Sequence, residues 1–99
     1  MIISALGWTA IEDLEQRVME AKSAVARLTA RQRQVLQGVL HGYSNKQIAR
    51  DLGISPRTVE IQRGYMMDRL DAKTTADAVR IGIYAEIGEG SEEETPRNR

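Results

Sequence analysis

Ninety-nine residues, 41% of them apolar and 28% charged, are enough for one small folded domain and little more. Cysteine is absent and His41 is the only histidine. That excludes disulfides, thiolate chemistry and a metal site built on Cys or paired His, and it leaves no convincing histidine-based catalytic triad. The 14 basic and 14 acidic side chains cancel overall but not locally. Residues 1–28 carry one net negative charge, residues 29–88 three net positive charges, and residues 89–99 two net negative ones. A mildly basic middle permits a polyanionic partner without requiring one.

No apolar run approaches the ~18 residues of a membrane span, so no membrane association is expected. The start, Met1-Ile2-Ile3-Ser4-Ala5-Leu6, lacks a basic region and is too short for a secretory signal. The expected compartment is the cytoplasm. Strand signals are nearly missing and helix starts recur, so the chain reads as all-α.

A first helix is expected near residues 10–27, opened by the capping box Thr9-Ala10-Ile11-Glu12. Its apolar residues Ile11, Leu14, Val18, Ala21, Val25 and Leu28 alternate spacings of three and four, which is a heptad seam. Three readings of that seam stand side by side. The helix forms a coiled coil that dimerises the protein, folds back on its own domain, or docks onto a separate sensor or regulator. Trp8 either packs this helix or lies at an interface.

A second helix, near 30–41, opens with the capping box Thr29-Ala30-Arg31-Gln32 and stops at Gly42. His41, at its C-terminus, suits the negative end of the helix dipole. A third, 45–52, opens with Ser44-Asn45-Lys46-Gln47 and stops at Gly53. A fourth, 56–70, opens with Ser55 as cap and Pro56 in the first turn, where the missing N–H is harmless. A fifth, 75–86, opens at Thr74 with Asp77 near the positive end of the dipole, and a stop is expected at Gly88. The acidic stretch 88–99, rich in Gly, Ser and Glu with Pro96, reads as a disordered tail. The expected core joins Val35, Leu36, Val39 and Leu40 to Ile48, Ala49 and Leu52, then Val59, Met66 and Leu70, then Val79 and Ile83.

The third and fourth helices, linked by Gly53-Ile54-Ser55, make a helix-turn-helix arrangement. Gly53 permits the sharp turn, Ile54 plugs the angle and Ser55 caps the second helix. In DNA recognition one such helix braces against the backbone while the other enters a major groove about 12 Å wide. Many helical bundles contain a similar junction, so the pattern alone decides nothing.

The residues carry more. Leu28-Thr29-Ala30-Arg31-Gln32-Arg33-Gln34-Val35-Leu36, then Gly42-Tyr43-Ser44-Asn45-Lys46-Gln47-Ile48-Ala49, then Leu52-Gly53-Ile54-Ser55-Pro56-Arg57-Thr58-Val59-Glu60 closely resemble the DNA-binding domain of LuxR/FixJ-type (GerE-like) regulators. The likeness continues through Arg63, Met67, Leu70, Ala72 and Ala78-Val79-Arg80, spanning residues 28–87 in one ungapped register. It implies a four-helix LuxR-type helix-turn-helix domain, here preceded by an extra amphipathic helix within residues 1–27. It also implies double-stranded promoter DNA as partner, a homodimer, and control of transcription. Two departures stand out: Gln62 occupies a position that is often histidine, and Gly64 falls in the middle of the reading helix.

The resemblance puts base reading on Glu60, Ile61 and Gly64. Glu60 can accept from cytosine N4 and Ile61 can pack on a thymine methyl; alternatively, Glu60 pairs with Arg57 or Arg63. The absent side chain of Gly64 admits a base edge or sugar, or else is a neutral substitution. Ser44, Asn45 and Lys46 at one helix start, Ser55, Arg57 and Thr58 at the next, and Arg63 beyond them are the candidate phosphate contacts. Capping and a solvated charged face is the plainer account of the same residues. The resemblance assigns dimer contacts to the last helix, which offers Val79, Ile83 and Ile87, and Ile11, Leu14 and Val18 are the candidates on the first. No catalytic residue, cofactor or metal is expected. The rival function is an interaction protein that pairs with a longer relative or a sensor and modulates it. RNA polymerase enters as a partner by analogy alone.

Overall fold

A computed structural model describes the backbone of residues 2–92 and the side chains of residues 10–88. Among the described residues the chain is all-helical: α1 (Ile2–Ala26), α2 (Ala30–Leu40), α3 (Asn45–Leu52), α4 (Pro56–Leu70) and α5 (Thr75–Glu92). None of these helices is long and apolar enough to cross a membrane.

The three middle helices start and stop where local chemistry directs. Thr29 Oγ1 accepts from the Gln32 N–H at 3.1 Å, while Gln32 Oε1 accepts from the Thr29 N–H at 3.0 Å. Ser44 and Gln47 repeat the exchange at α3, at 3.1 and 2.8 Å. Ser55 Oγ accepts from the Thr58 N–H at 3.0 Å, with Pro56 in the first turn of α4. Gly42 and Gly53 take the left-handed conformation, φ 79° and 71°, that ends α2 and α3. The stop of α4 is Asp71, which adopts φ 56° without being glycine. Asp77 Oδ2 accepts from the backbone N–H groups of Lys73 and Thr74, and Thr74 Oγ1 accepts from the Asp77 N–H. The Lys73 N–H foremost, and Arg80 with it, holds the Asp77 carboxyl below its ordinary range.

Both outer helices overrun their expected limits. α1 begins at Ile2, so the capping box at Thr9 lies inside the helix and does not start it. The run Ile2-Ile3-Ser4-Ala5-Leu6 contains no breaker, and an established helix propagates through it. α5 continues through Gly88 to Glu92, so neither the stop at Gly88 nor a tail disordered from residue 88 is observed. The rest of that expected tail, residues 93–99, lies outside the described residues, as does the side chain of Trp8.

The core joins Leu28, Val35, Leu36, Val39, Ile48, Ala49, Val59, Met66 and Leu70, with Val59 and Met66 wholly buried. α4 lies against α2 and α3, and α5 against α1 and α2. The C-terminal half of α1 packs on α5 through Ala21, Ala24 and Val25, while Ile11 and Leu14 remain about half exposed.

The core face of α5 differs from the expected one. Ile83 is 49% exposed, and the helix instead buries Ala78, Gly82, Ala85 and Gly88. The reason is close approach. A Cβ on Gly82 would lie 2.8 Å from Leu40 Cδ2, and one on Gly88 would lie 2.9 Å from Val18 Cγ1 and 2.5 Å from Lys22 Cδ. Small residues are what let the helices come this near. The β-branched residues are left on the opposite face.

Gly38 in α2 shows the same constraint most sharply, since an added Cβ would stand 2.5 Å from Cγ1 of the buried Ile48. Gly38→Ala should destabilise the fold by about 1–3 kcal/mol despite alanine's better helix propensity, because overpacking outweighs it. Chemical denaturation measures the change.

Candidate nucleic-acid interface

The buried stripe Val59, Met66 and Leu70 decides which way α4 faces. Helical periodicity turns Arg57, Glu60, Ile61 and Gly64 away from that stripe, and all four are exposed. The candidate base-reading residues therefore share one solvent-facing surface. Ile61 is 43% exposed, an apolar side chain held in water on an otherwise polar face. Nothing lies within 4 Å of a Cβ built on Gly64, so no internal packing demands glycine there.

Tyr65, 54% exposed on the same helix, was not singled out from the sequence. The available signal was its place one turn beyond Ile61, together with the rarity of aromatic residues in this chain. Its ring and hydroxyl extend the surface beside the open position at Gly64.

The charged candidates divide. Arg57 Nη1 donates to Glu60 Oε1 at 3.1 Å, with both side chains mostly in solvent. Such an exposed pair contributes about 0.3–0.5 kcal/mol, so it opens readily for another partner. Lys46 is exposed in the first turn of α3. The hydroxyls of Ser44 and Ser55 are capping acceptors, and Thr58 Oγ1 is 2.9 Å from Ser55 Oγ. Each remains at the surface, beside backbone N–H groups that point toward solvent.

Arg63 is turned differently. Its guanidinium donates to Asn45 Oδ1 at 2.9 Å and to Thr75 Oγ1 at 3.2 Å. Two of the expected phosphate contacts, Arg63 and Asn45, are thus engaged with each other. Gln62, at the position often histidine in the resemblance, faces inward, where its Oε1 lies 3.5 Å from Nε2 of the buried Gln32.

Among the described residues no group of three or more His, Cys, Asp or Glu side chains is placed to hold a metal ion. The set expected at a dimer contact lies on two helices. On α5, Ile83 and Ile87 are half exposed and Val79 is partly buried, forming the face opposite the small-residue seam. On α1, Ile11 and Leu14 are exposed, whereas Val18 turns toward Gly88.

Residues 26–81 match the model of the bacterial regulatory proteins of the luxR family. The chain belongs to that family. It is 39% identical over 71 residues to the transcriptional regulatory protein FixJ of Bradyrhizobium diazoefficiens, covering 72% of this chain and 35% of that one. FixJ of Azorhizobium caulinodans is 43% identical over 68 residues, covering 69% and 32%. The response regulator protein TodT of Pseudomonas putida is 42% identical over 65 residues, covering 66% and 29%. Full-length FixJ from B. japonicum superposes with a TM-score of 0.69 at 34% identity, over 86% of this chain and 45% of that one. The chain thus spans about a third of the length of the curated relatives it matches. The family is one of bacterial regulatory proteins, and these relatives are named as transcriptional and response regulators.

Gly64→Ala should stabilise the free domain by up to about 1 kcal/mol, since the position is helical and open. If a base edge or sugar comes close there, the same variant binds its DNA less tightly. Denaturation and DNA titration on one preparation report the two effects separately.

Proposed function

We propose that the chain binds a specific double-stranded DNA sequence by placing α4 in the major groove, as a symmetric dimer on an inverted repeat. The observation that carries this reading is the exposed face of Arg57, Glu60, Ile61 and Gly64, held outward by the buried Val59 and Met66. In this reading Glu60 accepts from cytosine N4, Ile61 packs on a thymine methyl, and Gly64 admits the DNA closely. Arg57 leaves Glu60 for a phosphate. Lys46, with the helix starts at Ser44-Asn45 and Ser55-Thr58, supplies further backbone contacts. The protein acts on promoter DNA in the cytoplasm.

The proposed dimer contact is the outward stripe of α5, Val79, Ile83 and Ile87. One reading helix spans only a few base pairs, and two half-sites multiply both affinity and specificity. A second reading rests on the exposed Ile11 and Leu14 of α1. There the chain pairs through α1 with a longer relative or a sensor and modulates it.

Selection from a random pool of double-stranded DNA, with the mass of the complex measured at moderate salt, separates the two. An enriched inverted repeat bound by two chains supports the first reading; weak binding without enrichment favours the second. Lys46→Ala should lower affinity for every sequence and reduce the slope of log K against log salt by about one per chain. Ile83→Glu should leave the fold intact and yield monomers by light scattering, since the side chain is half exposed in the single chain.

A further inference from the structure

The half-buried Arg63 bridges three helices: it belongs to α4, Asn45 is the first residue of α3, and Thr75 is the first residue of α5. Among the described residues it has no carboxylate partner, although it carries a full positive charge. Both of its acceptors stand at helix N-termini, where the dipole is positive and a cation is disfavoured. Charge attraction therefore does not account for its position. The planar fork does, since it directs two N–H groups in fixed directions at once, as a lysine ammonium on its flexible stem does not.

We propose that Arg63 is a positioning residue rather than a phosphate contact, and that it sets the orientation of the reading helix α4 relative to α5. The inference rests on the DNA-binding reading above and deepens it. α5 carries the stripe proposed for the dimer, and α4 carries the face proposed for the bases. The Arg63–Thr75 bond is a direct polar tie between the two, and Arg63–Asn45 anchors the same guanidinium to the other half of the helix-turn-helix. An angle fixed here becomes, in a dimer, the distance and direction between two reading helices. Arg63 thereby governs which half-site spacing is accepted, without touching a base.

The test compares Arg63→Lys, Arg63→Gln and Thr75→Val with the parent chain, below the unfolding temperature of every variant. Arg63→Lys should bind the parent's selected sequence about tenfold more weakly although the charge is kept. Arg63→Gln should weaken binding similarly with an unchanged salt slope, because no counterion-releasing contact is lost. Sequences selected by either variant should show a broader range of half-site spacings. Thr75→Val should weaken binding in the same direction and add nothing to Arg63→Gln. Restoration of affinity by lysine, together with a salt slope lower by about one per chain in Arg63→Gln, would overturn the proposal in favour of a phosphate contact.

A double-mutant cycle on unfolding of the free protein decides the tie without DNA. Non-additivity of Arg63→Gln and Thr75→Val supports it, and strict additivity overturns it. If the parent chain binds no DNA, the reading of the preceding subsection falls, and the unfolding cycle alone decides whether Arg63 holds α4 to α5.

Discussion

Burial of Val59 and Met66 beneath α4 is the constraint on which the rest of the surface depends. Each removes its whole side chain from water, and each such burial is worth about 1.5–3 kcal/mol. Rotating α4 about its axis would expose both together, so the helix has one acceptable orientation. Arg57, Glu60, Ile61 and Gly64 face solvent as a consequence of that choice, and the exposed Arg57–Glu60 pair ties two of them to each other rather than to the core. The capped, glycine-ended junction before α4 fixes where the helix enters, and Ile54 packs against the core at the angle between α3 and α4.

A second constraint acts at α5, where proximity rather than bulk determines the buried face. Ala78, Gly82, Ala85 and Gly88 turn inward because α1 and α2 pass too close for larger side chains. Val18 meets Gly88, and Leu40 meets Gly82. Side chains of α1 and α2 packed directly onto the glycine backbone of α5 take the place of interlocking large side chains along this seam. The same arrangement turns Ile83 and Ile87 outward, so α5 is apolar on two faces with different uses. One packs on α1, and the other is the stripe proposed for the dimer.

Arginine in this chain is used as much for geometry as for charge. Arg27 and Arg69 exchange hydrogen bonds with each other's backbone carbonyls, at 3.2 and 3.1 Å, joining the end of α1 to the end of α4. Arg33 reaches the carbonyl of Leu28 at 3.2 Å, and Arg63 reaches across to α3 and α5. The basic excess of residues 29–88 is therefore not a uniform attraction for polyanions. The charge on α4 that most readily changes partner is Arg57, tied to Glu60 in a weak exposed pair.

The amino-acid sequence by itself determined what depends on neighbours three or four residues away. The caps at Thr29, Ser44 and Ser55, the glycine stops after α2 and α3, and the limits of α3 and α4 are local chemistry and were legible. So was the outward face of α4, because a single buried stripe defines its opposite. Tertiary structure alone decided the rest. Gly88 carries the local signature of a helix end, yet α5 runs on because α1 packs across it. Ile83 has the apolarity of a core residue, yet α5 is gripped on its small-residue side. Arg63 reads from sequence as one more cation on a DNA-facing helix; its acceptors, 18 residues before it and 12 after it, are brought to it only when α3 and α5 fold against α4. Periodicity reports which residues share a face of one helix, and only packing decides what that face meets.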